Sequence, residues 1–357
     1  MKRVLVTGAG GAPASNFINC LRMAEERLYI VGCDSNSYHL ELAAGLDARY
    51  LIPHAHDRDY TKKINQLIEA ERIDFLHAQP DVEVLRIARD REQIGAATLL
   101  PSTSTVEHCQ DKMWLNRRLT EAGVPCPRAF HLSSRADLDS AFAALAGEGS
   151  SGDRAWIRAI RGAGARASLP IFDIEQGRQW VSYWKSAKDL AYPDFMVSEF
   201  LPGREYAFQS IWMDGEMITS QARERIEYLF GDLTPSGQTS SPAVARTVHD
   251  ERVNEAAIRA VQCADEKASG IFCVDLKEDH RGVPCVTEIN CGRFFTTSNF
   301  LAEAGSNMPY YYLKMAFGEE LPPLPRVNAT PADLYWIRLI DMGFKLVRNE
   351  EWSTKKI

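Results

Sequence analysis

Through the first hundred residues, short apolar runs alternate with stretches whose apolar residues recur every three or four positions. RVLVT (Arg3 to Thr7) reads as a buried strand, and SNFINCLRMAEE carries Phe17, Leu21 and Ala24 at helical spacing. YIVGC (Tyr29 to Cys33), the short RYLI (Arg49 to Ile52), a helix with Ile64, Leu67 and Ile68, IDFLHA (Ile73 to Ala78), a helix from about Val82, and TLLP follow. Strand and helix in alternation predict a parallel, doubly wound sheet over 1–104. From Thr105 one helix is predicted through VEHCQDKMWLNRRLTEAGVPCP, stopped by Gly123 and Pro125. It leads into a small α+β region ending near Ser198. The pattern then turns antiparallel over 199–330. REYAFQSIWMDGEMITSQARER reads as two strands about an Asp214-Gly215 turn. LTPSGQTSSPA (Leu233 to Ala243) has turn formers and little core, so it predicts a loop. Residues 331–357 read as a C-terminal extension. No internal repeat is visible.

One segment breaks its own pattern. GIFCVDLKEDHRGVPCVTEINCGRF (Gly270 to Phe294) is a pair of apolar runs around a turn, interrupted by Asp275, Glu288 and Asn290. A two-residue turn at Arg281-Gly282 would set Asp275 directly opposite Glu288. Asn290, two positions on, shares that face. Phe272, Val274 and Leu276 would then point together into a core. Facing carboxylates repel. Two carboxylates and an amide suit a hard cation such as Mg²⁺, which takes one or two carboxylates and completes its shell with phosphate oxygens. The other reading centres the turn elsewhere and leaves both acids solvated.

Composition narrows the function classes. Forty-one Lys and Arg against 48 Asp and Glu give a net charge of −7, which offers no general attraction for nucleic acid or an anionic membrane. MKRVLVTGAGG lacks a signal-peptide core, and no run approaches the roughly 18 apolar residues of a membrane helix. The eight cysteines are scattered without a CxxC, mostly inside apolar runs. They point to reduced thiols and a cytoplasmic location.

VTGAGGAP follows a strand and precedes a helix, the setting in which backbone amides hold a phosphate. Asp34 ends the next strand, near where a ribose-binding acid belongs in a dinucleotide fold. Pro13, however, occupies the third glycine of GxGxxG. The glycines therefore read either as a tight strand-to-helix turn or as a nicotinamide site. A reductase or epimerase would need a Tyr-x-x-x-Lys pair. The only such spacing, Tyr310 to Lys314, lies too far along the chain to belong to the same domain.

Four segments in order, DKMWLNRRLTEAGVPCP, WIRAIRGAGARAS, VSEFLPGREYAF and GIFCVDLKED with VTEIN, resemble the ATP-grasp superfamily, including carboxylate-amine ligases and the synthetase domains of carbamoyl phosphate synthase. The resemblance covers roughly residues 1 to 320. It implies a mixed α/β and α+β architecture: a Rossmann-like pre-ATP-grasp domain (1–104), a linking helix and lid (105–198), and a C-terminal α+β subdomain with the metals (199–330). It implies ATP and Mg²⁺, with Mn²⁺ as an alternative. By the same resemblance, Lys112 and Arg158 hold phosphates and the glycines Gly162 and Gly164 cover them. Glu199, Phe200 and Leu201 meet the adenine, Glu205 binds ribose, and Asp275, Glu288 and Asn290 are the metal ligands. Cys291 and Gly292 separate Asn290 from Arg293, one residue more than the family's Glu-x-Asn-Pro-Arg. Arg293, Arg223 and Arg225 are candidates for gripping a carboxylate or the γ-phosphate, since guanidinium matches such oxygens bidentately. RERIE also reads as a solvated strand end.

The implied reaction is ATP-dependent formation of an acyl phosphate and then an amide or peptide-like bond, with small-molecule carboxylate and amine substrates and a homodimer through the C-terminal domain. Carbamoyl phosphate synthase-like phosphorylation of a carboxylate or carbamate, a nicotinamide-dependent enzyme and a non-catalytic nucleotide-binding regulator are the alternatives. His54 and His56 read as a polar loop, Cys291 as a packing residue, and the tyrosines of MPYYYLKMAFG as core.

Overall fold

The structure is a computed structural model describing residues 1–146, 154–162, 167–239, 241–341 and 343–348. The first unit runs β1 (Arg3–Thr7), α1 (Ala12–Arg22), β2 (Tyr29–Asp34), α2 (Ser37–Leu42), β3 (Ala48–Leu51), α3 (Tyr60–Glu71), β4 (Phe75–His77) and α4 (Asp81–Arg89). Its strands form a parallel sheet in the order β3-β2-β1-β4, the predicted doubly wound arrangement. TLLP adds no strand. Only an isolated bridge joins Phe75 to Ala97.

The single helix expected from Thr105 is two, α5 (Thr103–Cys109) and α6 (Lys112–Glu121). The break has a local cause: the Asp111 carboxylate accepts the backbone N–H of Trp114 at 2.9 Å and caps α6. It sets Lys112 at the start of a helix beside the lid, where its own N–H donates to the carbonyl of Ile160.

The region expected to form the lid comprises β5 (Ala129–His131), α7 (Arg135–Ala146), β6 (Ala155–Ala159), β7 (Leu169–Ile171), α8 (Ile174–Lys188) and β8 (Phe195–Glu199), with an antiparallel sheet ordered β5-β8-β6-β7. Strand period sorts its side chains. Ala155, Ile157 and Ala159 enter the lid core, while Trp156 and Arg158 face the other way.

The largest sheet has seven strands in the order β13-β12-β9-β10-β11-β14-β15. These are β9 (Glu205–Met213), β10 (Glu216–Tyr228), β11 (Pro242–Val248), β12 (Gly270–Glu278), β13 (Pro284–Cys291), β14 (Leu334–Leu339) and β15 (Gly343–Arg348), with helices α9 (Glu251–Ala264), α10 (Ser298–Glu303) and α11 (Met308–Ala316). The β9–β10 turn is Asp214-Gly215 with φ 50° and 86°, the double left-handed conformation that an Asp-Gly pair favours. Residues beyond 330 supply β14 and β15, so the tail continues this sheet.

A core of Val4, Val6 and Phe17 from the first unit with Ile211, Ile271, Phe294 and Tyr312 packs the N-terminal sheet against the large one. The other face of β12 buries Phe272, Val274 and Leu276 under α9, as the alternation predicts. All eight cysteines are free thiols. No described helix is long and apolar enough to cross a membrane.

Candidate active site

The β12–β13 hairpin places Asp275 opposite Glu288, although its turn differs from the one predicted. Glu278 pairs with Pro284, leaving a five-residue loop, Asp279 to Val283. The register then slips by one residue at Thr287, which restores the Asp275–Glu288 alignment. Asn290 completes the group. Its Nδ2 lies 3.0 Å from Asp275 Oδ2 and 3.4 Å from Glu288 Oε1.

Cations surround this trio. Arg225 on β10 pairs with Asp275, and Arg158 on β6 pairs with Glu288 at 2.6 Å. Lys112 Nζ lies 3.8 Å from Glu288 and donates to the Gly162 carbonyl at 2.7 Å. Burial and the facing Glu288 push Asp275 up to about 6 against the pull of Arg225. Burial also opposes ionisation of Glu288, but Lys112 and Arg158 outweigh it and hold that carboxyl well below the usual range. Burial lowers Lys112 to about 8, with Glu288 opposing. Two part-buried carboxylates stand aligned across a strand pair with the Asn290 amide between them. Among the described residues no three His, Cys, Asp or Glu side chains cluster as a metal site.

These groups line a cleft of about 610 Å³ between the lid and the large sheet. Arg158, Glu199, Phe200, Leu201, Glu205, Arg223, Arg225, Asp275, Glu288, Asn290 and Arg293 all border it. Lys112 adjoins it through Glu288, and Gly162 through Lys112. Gly162 adopts φ 116°, and a Cβ there would meet no atom within 4 Å. Gly164 lies outside the described residues. Glu199 ends β8, and Phe200 and Leu201 carry the chain from the lid into β9.

Arg293 reaches the site in spite of the additional residue. Gly292 takes it up with φ 79°, and Arg293 Nη2 then donates to Asn290 Oδ1 at 2.7 Å while its Nε pairs with Asp81. Asp81 opens α4 in the first unit, so the pairing crosses two sheets. Arg223 is 2 % exposed, which removes the solvated reading of RERIE at that position.

Lys277 and Tyr228 line the cleft and were not singled out by the sequence. Glu205 is held by Lys277 and Tyr228, each at 2.5 Å, and by Gln238. Lys277 shares the Asp275 face of β12 by simple alternation, a signal available in the sequence. Gln238, Thr239 and Ser241 come from the loop predicted over 233–243, which lines the cleft. The N-terminal glycine loop contributes Ala12 and Pro13. Asp34, the acid a dinucleotide ribose would require, instead accepts the N–H groups of Gly10 and Asn36 at 3.0 and 2.8 Å.

No protein-family model matches the chain, and no curated protein matches its sequence. Solved structures do match over nearly all of it. One is the biotin carboxylase domain dimer of Hydrogenobacter thermophilus 2-oxoglutarate carboxylase in complex with MgADP, ADP and bicarbonate: 16% identity, 94% of this chain and 73% of that one, TM-score 0.70. Carboxyaminoimidazole ribonucleotide synthase from Aspergillus clavatus complexed with ATP matches at 14% identity over 94% and 81%, TM-score 0.68. L-amino acid ligase from Bacillus licheniformis matches at 13% over 94% and 79%, TM-score 0.64. With its parallel N-terminal sheet, small antiparallel lid and large antiparallel sheet around one cleft, this chain has the ATP-grasp fold.

Proposed function

We propose that the protein is an ATP- and Mg²⁺-dependent ligase that activates a carboxylate as its acyl phosphate and joins it to an amine, releasing ADP and phosphate. The observation that carries this reading is the convergence of Asp275, Glu288 and Asn290, ringed by Arg225, Arg158, Lys112 and Arg293, in a cleft roofed by the lid. The similar structures bound to ATP or MgADP, and the similar L-amino acid ligase, support it.

Glu199 with the main chain of Phe200 and Leu201 reads the adenine edge, and Glu205, fixed by Lys277 and Tyr228, takes the ribose. Arg158 and Lys112 hold the phosphates beneath the Gly162 turn. Both cations stand against Glu288, at 2.6 and 3.8 Å, which sets the phosphate grip beside the carboxylate that would hold the metal. Asp275, Glu288 and Asn290 hold Mg²⁺ or Mn²⁺, which when bound neutralises phosphate charge during transfer. Arg293, Arg225 and Arg223 orient the acid for in-line attack. Phosphoryl transfer needs such positioning and charge neutralisation more than a nucleophilic side chain. The lid excludes water from the acyl phosphate. In this reading 1–104, 105–198 and 199–330 act as pre-ATP-grasp domain, linker with lid, and metal-bearing subdomain. The 331–357 segment builds outward from the last, and a homodimer, as in the Hydrogenobacter structure, is the assembly.

A second reading, phosphorylation of a small carboxylate or carbamate, is favoured by the similarity to a structure holding bicarbonate. Thermal shift with MgATP and with NAD(P)⁺, followed by phosphate release over acid and amine mixtures and over bicarbonate, tests both. Stabilisation by NAD(P)⁺ and not by MgATP sinks the ligase. Release with bicarbonate and with no acid-amine pair selects the second reading.

A further inference from the structure

One corner of the cleft holds more positive charge than the chain itself compensates. Arg225 on β10, Ala245 on β11 and Trp336 on β14 lie in one row across the sheet, and Arg223 and Arg338 flank that row on the same face, two positions to one side and two to the other. Arg223 is 2 % exposed, and its Nε and Nη1 are buried with no hydrogen-bond partner. Arg338 donates from Nε to the Pro242 carbonyl at 3.0 Å and from Nη1 to the Thr296 carbonyl at 3.3 Å, leaving Nη2 buried and unpartnered. Neither guanidinium has a carboxylate within ion-pair distance among the described residues. The acid in the corner, Asp275, already pairs with Arg225.

Aromatic rings hem in the corner. Arg223 lies 4.6 Å from the centre of the Phe295 ring and 5.6 Å from that of Trp336, and Arg338 lies 5.7 Å from Trp336. Trp336 is itself stacked on Phe300 at 3.4 Å. Aromatic faces hold a cation in place but do not satisfy its N–H groups. A buried charge without a counter-ion destabilises the free protein, and burial together with Arg225 pushes Arg223 down to about 9, still charged at neutral pH. Arg223 itself lines the cleft, as do Pro242, Thr296 and Phe295 beside these guanidinium groups, so the unspent donors lie just behind the wall against which the acid would sit.

We propose that Arg223 and Arg338 form a preformed pocket for a second carboxylate on the acid, so that the substrate class is dicarboxylic acids. The reacting carboxylate would lie toward Asp275 and Arg225, and the non-reacting one would take the free N–H edges of Arg223 and Arg338 in the planar fork geometry that guanidinium offers. This rests on the ligase reading for which carboxylate reacts, but the pocket itself is testable without turnover.

The test is thermal shift of the nucleotide-free protein with succinate, glutarate and adipate against butyrate, valerate and hexanoate at matched ionic strength. The dicarboxylates are expected to bind at least about tenfold more tightly, as two additional charge-assisted hydrogen bonds imply. Arg338→Met, at a partly exposed position, and Arg223→Met are each expected to abolish that preference. Arg223→Met should also raise the melting temperature of the ligand-free protein, since it removes an unpartnered buried charge, and loss of binding is then separate from loss of fold. Equal binding of the two series, no binding of either, or a preference that survives Arg338→Met overturns the proposal. Tight dicarboxylate binding with no ADP formed in any amine mixture leaves the pocket standing and removes the ligase reading. ADP formed without regard to the second carboxylate does the reverse.

Discussion

Gly292 is the additional residue between the trio and Arg293, and its replacement by alanine tests whether the strand end is built to aim that arginine. Its φ of 79° lies in the left-handed region, which costs an alanine about 1–2 kcal/mol. A Cβ would also come within 2.7 Å of Val84 Cγ1 and 3.1 Å of Leu100 Cδ2, both side chains of the buried core between α4 and β13. Overpacking of that kind costs about 1–3 kcal/mol. The sum for Gly292→Ala is therefore about 2–5 kcal/mol, unless the turn shifts and carries Arg293 off Asn290 and Asp81. Denaturant unfolding measures the loss. The Val84→Ala background removes the nearer clash but not the backbone strain, so there Gly292→Ala should cost only about 1–2 kcal/mol. Substrate-dependent phosphate release should fall in either background while MgADP still shifts the melting temperature, because Arg158, Lys112 and the hinge are untouched. A Gly292→Ala protein of wild-type stability, or one with full phosphate release, refutes the reasoning.

Burial, with Asp34 adding to it, pushes Glu83 up to about 7 from an ordinary 4.5, against the pull of Thr7. Folding thus takes up a proton between those values, so stability falls as pH rises through that window and levels off above it at about 3 kcal/mol of cost. Glu83→Gln should accordingly stabilise the protein near pH 8 and leave it unchanged near pH 4, as read by isothermal denaturation; a difference independent of pH contradicts the assignment. Glu288→Gln should lower phosphate release by about hundredfold or more while the protein stays folded, and undiminished ADP formation rejects the metal site. Lys277→Met leaves Glu205 without its ammonium partner at 2.5 Å and should weaken MgADP binding about tenfold, measured by titration calorimetry; unchanged affinity removes Glu205 from the nucleotide site.

The local pattern of the chain determined its secondary structure well, because periods of two and of three to four residues are set by neighbouring side chains and backbone. The β/α alternation before residue 100, the Asp214-Gly215 turn and the carboxylates standing where apolar residues should alternate were all legible. The helix from Thr105 was not read correctly, since Asp111 caps the second of two helices and the apolar stripe carries no trace of that hydrogen bond. The hairpin alignment was legible only in outcome. A longer loop and the slip at Thr287 cancel, and both depend on how β13 packs against β12 and α9. What tertiary structure alone decided are the meetings across great sequence distance: Lys112 with Gly162 and Glu288, Arg293 with Asp81, and Arg223 with Trp336 and Arg338 on a strand formed by the tail. Each joins residues whose own segments give no hint of the other. Their proximity follows from the burial of apolar faces between sheets, a property of the whole fold that no local window contains.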